Sequence, residues 1–256
     1  MAEQLLVLAA DRLLYRGPPV EGGRHRHHAL QLALSLGEPL RLDTADGEPA
    51  LRAQGLIIDA DQPHRLLGGA PRLALLFLEP ESRVAGQLRA ARGLADRPVQ
   101  PHRPGAALRR RLEQYGADDD FTALCEHWLE ELGLPAAALA PSPANDPRVA
   151  AVIERLRARP QLRHTAAALG REVGLSPDRL MHLFRAATGL PLRRYALWLR
   201  LKLALSTALT GASLTEAAHA AGFSDSAHLS HSFRAHFGLP PRFLFAPGNR
   251  LVVRFR

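Results

Sequence analysis

The sequence predicts an α+β protein of two domains: a β-barrel with accessory helices, then an all-α module with tandem helix-turn-helix units. Three observations predict it. Short period-two apolar segments fill the stretch from Leu5 to Glu79, and amphipathic helical patterns replace them from Glu81 to Leu132. One short helix-Gly-helix pattern then appears twice between Leu169 and Phe245. The domains are placed at 1–140 and 146–247, with the Pro/Ala-rich run LPAAALAPSPAND as the linker.

In the first domain, Leu30, Leu32, Leu34 and Leu36 alternate with Gln31, Ala33, Ser35 and Gly37, and Leu40 and Leu42 continue after a Gly-Glu-Pro break. Thr44-Ala45-Asp46-Gly47 signals a turn, while LIID and LALLFL read as compact apolar strands. Several short strands separated by turns suggest a sandwich or small barrel. RVAGQLRAARGL and ALRRRLEQYG are amphipathic, and FTALCEHWLEEL follows Asp118-Asp119-Asp120, acidic residues suited to a helix N-terminus. These helices are expected to pack on the barrel or on a second subunit.

The second domain opens with Asp146-Pro147 capping RVAAVIERLRAR. The two copies of the repeat are LGREVGLSPDRLMHLFRAATGLPLRRY and LTEAAHAAGFSDSAHLSHSFRAHFGLPPRFL. Each has a small apolar helix, a Gly turn (Gly174, Gly222) and a Ser that opens a second helix. Ser176 with Pro177 caps the first copy, and Ser224 with Asp225 behind it is assigned the cap of the second. Each second helix is expected to stop at Gly-Leu-Pro, at Gly189 and at Gly238. A long apolar helix from Pro191 to Leu209 joins the copies. A single helix-Gly-helix corner is common in all-α proteins; two with matching spacing are specific.

Charge divides along the same line. Residues 1–145 carry 16 Arg against 19 acidic groups, a net −3, and residues 146–256 carry 17 Lys and Arg against 6, a net +11. A basic excess confined to the repeat-bearing half is what a phosphate-backbone binder needs. The chain of 256 residues is 46% hydrophobic, and no long apolar run is free of charge, so no transmembrane helix is indicated. The start MAEQLLVLAADRLLYRG lacks the basic segment and clean apolar core of a signal peptide, which predicts a cytoplasmic protein. The single Cys125 reads as a buried apolar residue of a reducing compartment.

The run PLRRYALWLRLKLALSTAL followed by GFSDSAHLSHSFRAHFGLPPRFL resembles the DNA-binding domain of AraC/XylS-type transcription regulators. Tyr195, Arg200 and Ala204 match in the linking helix, and Gly222, Phe223, Phe233, Phe237, Gly238 and Pro241 match in the second unit. Leu244 departs from the family, which usually has Arg there. The resemblance implies a sequence-specific regulator, activator or repressor, that binds double-stranded DNA and answers to a small-molecule effector in its N-terminal domain. A homodimer and, for an activator, RNA polymerase are the further partners expected; no membrane and no cofactor are. The alternative is a constitutive DNA-binding protein whose barrel only dimerises or contacts another protein.

With about 100° per residue, Leu180, Leu183 and Phe184 form one buried stripe, leaving Asp178, Met181, His182 and Arg185 outward. In the second copy Leu229 and Phe233 face inward, Ala227, Ser230, His231 and Arg234 outward, and His228 lies at the edge. The resemblance gives base contacts to Asp178, Met181, His182, Ser226, Ala227, His228, Ser230 and His231. Arg179, Arg185, Arg193, Arg194 and Arg234 are candidates for phosphate, which positions without specifying.

One chemical constellation stands in the first domain. His25, His27 and His28 precede the Gln31 strand, and His64 follows Gln62-Pro63. His25-x-His27-x3-Gln31 resembles the first motif of cupin barrels with Gln for the usual Glu, and Asp59-x-Asp61-x2-His64 has the spacing of the second. A cupin-like sensory domain is therefore expected. His25, His27, Gln31 and His64 are then metal ligands, polar groups lining an effector pocket, or ordinary strand-edge residues, and sequence leaves all three open. No Gly-rich phosphate loop, nucleophile elbow or HExxH motif occurs, which argues against an enzyme.

Overall fold

The structure is a computed structural model and describes residues 4–9, 12–19, 23–44, 49–67, 71–80, 82–116, 119–135, 146–188, 191–237 and 241. The chain divides into two compact units, one of residues 1–140 together with 234–256 and one of residues 141–233.

The first unit holds strands β1 (Leu5–Leu8), β2 (Arg12–Gly17), β3 (Leu30–Ser35), β4 (Leu40–Asp43), β5 (Leu51–Ala53), β6 (Gly55–Ile58), β7 (Arg65–Leu66), β8 (Leu73–Leu78) and β9 (Val99–His102). Helix α1 (Arg83–Arg92) precedes β9, and α2 (Ala106–Gln114) and α3 (Phe121–Glu131) follow it. The strands form a six-stranded sheet in the order β1-β2-β8-β3-β6-β9 and a three-stranded sheet in the order β5-β4-β7, with every pairing antiparallel.

A closed cupin-like barrel is not formed by the described strands: pairing stops at β1 and β9 in one sheet and at β5 and β7 in the other. Pro39, Pro49 and Pro63 each lie within two residues of the start of a strand in the small sheet, where a missing N–H interrupts a ladder. Pro101 sits within β9, and β9 is an edge, the position that tolerates it.

Leu30, Leu32 and Leu34 enter one apolar core with Leu14, Ile57, Leu76 and Leu78. Val84 and Leu88 of α1, Leu108 and Leu112 of α2, and Leu124, Trp128 and Leu129 of α3 belong to the same core. The helices expected to pack on either the barrel or another subunit thus close over their own sheet. The alternating β3 residues Gln31, Ala33 and Ser35 are buried too, so period-two spacing here separates two buried faces rather than core from solvent. Cys125 is buried within this core, as expected.

Helix ends follow local chemistry. Ser82 caps α1, Asp120 accepts from the Thr122 and Ala123 amides at the start of α3, and the buried Arg16 donates to the Leu112 and Glu113 carbonyls at the end of α2. The Thr44–Gly47 turn, the Asp118 end of the acidic run and the Pro/Ala linker lie at least partly outside the described residues.

The second unit is helical, with α4 (Pro147–Ala158), α5 (Ala166–Glu172), α6 (Pro177–Thr188), α7 (Leu192–Leu209), α8 (Leu214–Ala220) and all but the last residues of α9 (Ser226–Phe237). Asp146 caps α4 with Pro147 at its first position, as the sequence predicts. Val149, Val152 and Leu156 of α4, Leu169 of α5, Leu180 and Phe184 of α6, and Tyr195 and Leu199 of α7 share one core. The Phe184 and Tyr195 rings meet edge to face at 5.4 Å. Among the described residues no helix is long and apolar enough to cross a membrane.

Candidate nucleic-acid interface and histidine site

The main chain brings the N-terminal histidines together. His25 and His64 form an isolated antiparallel bridge, each amide donating to the other's carbonyl at 2.9 Å. Side chains opposite one another in such a pair leave the same face, and His27, two residues on, follows His25. The Asp61 amide, held at positive φ, donates to the His27 carbonyl at 2.8 Å and ties the two segments again. One ring nitrogen from each of His25, His27 and His64 lies within 4.8 Å of the others.

Each ring donates Nδ1–H to a main-chain carbonyl: His25 to Gly23 at 3.0 Å, His27 to Ala29 at 2.9 Å and His64 to Gln62 at 2.8 Å. That choice of tautomer leaves Nε2 as the basic nitrogen of His25 and His64. Gln31, on β3, places its side-chain amide oxygen 2.5 Å from His27 Nε2, so His27 has an oxygen at each ring nitrogen. His27 and His64 are buried and His25 half-buried. Burial, then repulsion from His27 and His25, holds the His64 pKa well below the ordinary imidazole value. Burial likewise lowers that of His25, against the Gly23 hydrogen bond.

Three of the four residues expected to act together thus converge as imidazoles, with Gln31 against one of them. Asp59 and Asp61 face arginines instead, Asp59 paired with Arg89 at 2.7 Å and Asp61 lying 3.7 Å from Arg26.

In the helical unit the two turns share one hydrogen-bond pattern. Gly174 and Gly222 both take the left-handed conformation, at φ 68° and 75°. The Leu175 amide donates to the Gly170 carbonyl at 2.8 Å, and the Phe223 amide to the Ala218 carbonyl at 2.9 Å. A Cβ on Gly170 would lie 2.6 Å from the Leu175 carbonyl oxygen, so only glycine lets α5 pass that turn. Ser176 accepts from the Arg179 amide at 3.3 Å and caps α6 as predicted.

The second cap differs from expectation. Asp225, not Ser224, accepts from the His228 amide, at 2.7 Å, and Ser224 Oγ supports it by donating to the Asp225 carboxylate at 2.9 Å. The His228 amide and then the Ser224 hydroxyl hold the Asp225 pKa below the ordinary carboxylate value. In α8, Ser213 and Glu216 form a reciprocal capping box that the S-x-x-E spacing signals.

On α6 the outward face is as the helical spacing predicts, while on α9 Ser230, expected outward, is half-buried and His228, expected at the edge, is exposed. Leu180 and Phe184 are buried and Leu183 is half-buried, while Asp178, Arg179, Met181, His182 and Arg185 are exposed. On α9, Leu229 and Phe233 are buried, Ala227, His228, His231 and Arg234 exposed, and Ser226 and Ser230 half-buried. Arg193 is exposed and Arg194 half-buried on α7.

Residues 169–246 match a family of helix-turn-helix domains. They form an AraC-type helix-turn-helix domain.

Its two units are α5–α6 and α8–α9. A comparison with curated protein sequences finds no match. Among solved structures, an apo variant of ToxT from Vibrio cholerae is similar over 92% of this chain and 97% of its own, at 10% identity and a TM-score of 0.61. ToxT of the same species bound to an unsaturated fatty acid is similar over 92% and 95%, at 11% identity and a TM-score of 0.59. At that identity the likeness is one of fold, and it extends beyond the AraC-type domain to the first unit. A transcriptional regulator from Chromobacterium violaceum is 27% identical over 40% of this chain and 96% of its own, with a TM-score of 0.37.

Arg200 has a role in the AraC-type domain that sequence spacing does not reveal. From α7 it donates to the Ala221 carbonyl at 2.9 Å and to that of Gly222, and its guanidinium lies 4.2 Å from the Phe223 ring centre. Phe223 in turn meets the His228 ring edge to face at 5.3 Å. The linking helix therefore holds the second turn directly.

Proposed function

We propose that the chain is a sequence-specific, DNA-binding transcription regulator of the cytoplasm, with a sensory unit at 1–140 and a DNA-binding unit at 146–247. The observation that carries this reading is the duplicated turn, with an exposed polar face on the second helix of each copy. In this reading α6 and α9 enter successive major-groove segments, so even one chain reads two subsites. Asp178, Met181, His182, Ser226, Ala227, His228, Ser230 and His231 meet bases, and Arg179, Arg185, Arg193, Arg194 and Arg234 meet phosphates. Histidine at a reading position offers a single donor or acceptor where arginine offers a fork. Asp178 accepts from a cytosine amino group, and Met181 and Ala227 meet thymine methyls.

The first unit, read as cupin-like, binds a small-molecule effector at His25, His27, Gln31 and His64. The fatty acid in ToxT supports small-molecule control of a protein of this fold. A homodimer and, for an activator, contact with RNA polymerase complete the scheme. The test is selection of bound sites from random duplexes, followed by His231→Ala. The variant is expected to lose about 1–3 kcal/mol on the selected site and little on random DNA. Equal losses on both would make His231 a backbone contact.

A further inference from the structure

We infer that Ser224 and Asp225 fix the tautomer of His228, so that its Nε2 accepts a hydrogen bond from the amino group of an adenine or a cytosine in the major groove. The inference rests on the DNA-binding reading above, in which His228 meets a base, and adds which bases it accepts and what decides it.

Three groups at the start of α9 share few hydrogens. Asp225 Oδ1 accepts from the His228 amide at 2.7 Å, while Ser224 Oγ lies 2.9 Å from Asp225 Oδ2 and 3.2 Å from His228 Nδ1. The His228 amide and then the Ser224 hydroxyl hold the Asp225 carboxyl below its ordinary value, so at neutral pH it is a carboxylate and only accepts. The hydrogen between Ser224 and Asp225 is therefore the serine's own. A hydroxyl has one hydrogen, so the same oxygen offers His228 only lone pairs. The hydrogen of that second contact belongs to the ring and sits on Nδ1. In the neutral imidazole Nε2 is then bare, and it can only accept.

The ring is held from another side as well. Phe223 is buried and meets the exposed His228 ring edge to face at 5.3 Å, and the Arg200 guanidinium lies 4.2 Å from the Phe223 ring centre. An imidazole with its orientation and tautomer already set gives up little freedom when it meets a base. Capping alone does not call for this arrangement, since Asp225 satisfies the amide without any contact between Ser224 and the ring. In the major groove adenine N6 and cytosine N4 donate, whereas guanine O6 and thymine O4 accept. A bare Nε2 pairs with the first two and faces lone pairs on the others.

The experiment uses the full-length chain at about pH 8, above the ordinary imidazole range. Sites are selected from random duplexes with wild type and with His228→Ala, and the position whose preference the variant loses is the one His228 reads. Wild type is expected to favour A or C over G or T there by about fivefold, the worth of one hydrogen bond. Ser224→Ala should bring that ratio to about one and leave the other positions unchanged, and Ser224→Thr, which keeps the hydroxyl, should restore it. Asp225→Asn keeps an acceptor for the His228 amide but also donates, so the serine can turn its hydrogen to Nδ1. Nε2 then carries the ring proton, and the preference should reverse towards G or T. Nitrogen-15 NMR of the free chain reads the ring directly, with Nδ1–H expected in wild type and Nε2–H in Asp225→Asn; circular dichroism checks that each variant is folded. A wild-type preference for G or T, no position lost in His228→Ala, or an A/C preference untouched by Ser224→Ala overturns the inference and leaves DNA binding standing. A wild type that selects no site at all overturns the DNA-binding reading and this inference with it.

Discussion

Arg200 joins α7 to the Ala221 and Gly222 carbonyls and stacks on Phe223, which touches His228. Arg200→Ala leaves those helix-end carbonyls without their partner, a loss of about 1–3 kcal/mol. Lysine cannot restore the fork or the stacking. Footprinting of Arg200→Lys on a selected site should therefore show protection lost over one subsite and kept over the other. Uniform weakening would mean that the second turn holds without it. His102 gives the second residue-scale prediction. Its ring lies over Gly55, where a Cβ would collide with it, and burial with the nearby Arg92 lowers its pKa to about 4. The unfolded chain takes up this proton through about pH 6.5, while the folded chain waits until about 4. The contribution is therefore complete above 6.5 and disappears as pH falls through this window, by up to about 3 kcal/mol. Thermal melts of wild type and His102→Gln should differ in slope between pH 7 and 4.5, the variant being flatter.

At the scale of elements, the two turns look alike but differ in surroundings. A Cβ on Gly174 meets nothing within 4 Å, whereas one on Gly222 would run into the Gln161 carbonyl. Asparagine tolerates the left-handed conformation, so Gly174→Asn should cost about 1 kcal/mol or less, and Gly222→Asn at least about 2 kcal/mol more. Chemical denaturation of the two variants checks the difference; equal costs would show that the Gln161 segment moves aside freely. The helical half was largely legible because its signals are local: Asp146-Pro147, Ser176-Pro177 and the two glycines each act within a few residues. The misplaced cap shows the limit. Ser224 and Asp225 are adjacent and both accept well, and only the path of the chain selects Asp225. The sheets were less legible, since which strands pair is decided far along the chain. Burial on both sides of β3 is set by what packs against its Gln31 face, and alternation cannot report that. The histidine constellation was visible as spacing, but the His25–His64 bridge that gathers it joins residues whose pairing no local pattern encodes.

Across the whole molecule, the net charge of −3 in residues 1–145 and +11 in residues 146–256 puts the basic excess in the half proposed to bind DNA. Each phosphate neutralised by a cation releases condensed counterions, so affinity falls with salt at a slope of roughly −0.9 per contact. The five arginines assigned to phosphates predict a slope near −4.5 on a log–log plot, by this order-of-magnitude count. Arg179 and Arg185 are both exposed on α6, and replacing both with Ala should flatten the slope by about 2 and weaken selected and random sites alike. His231→Ala should leave the slope unchanged while lowering affinity for the selected site, because a base contact displaces few counterions. The two kinds of variant thus separate along different axes, salt dependence for one and sequence discrimination for the other. A flat salt response in wild type would remove the electrostatic half of the argument. A His231→Ala chain that loses slope but keeps its preference would exchange the roles given to the imidazole and the guanidinium groups.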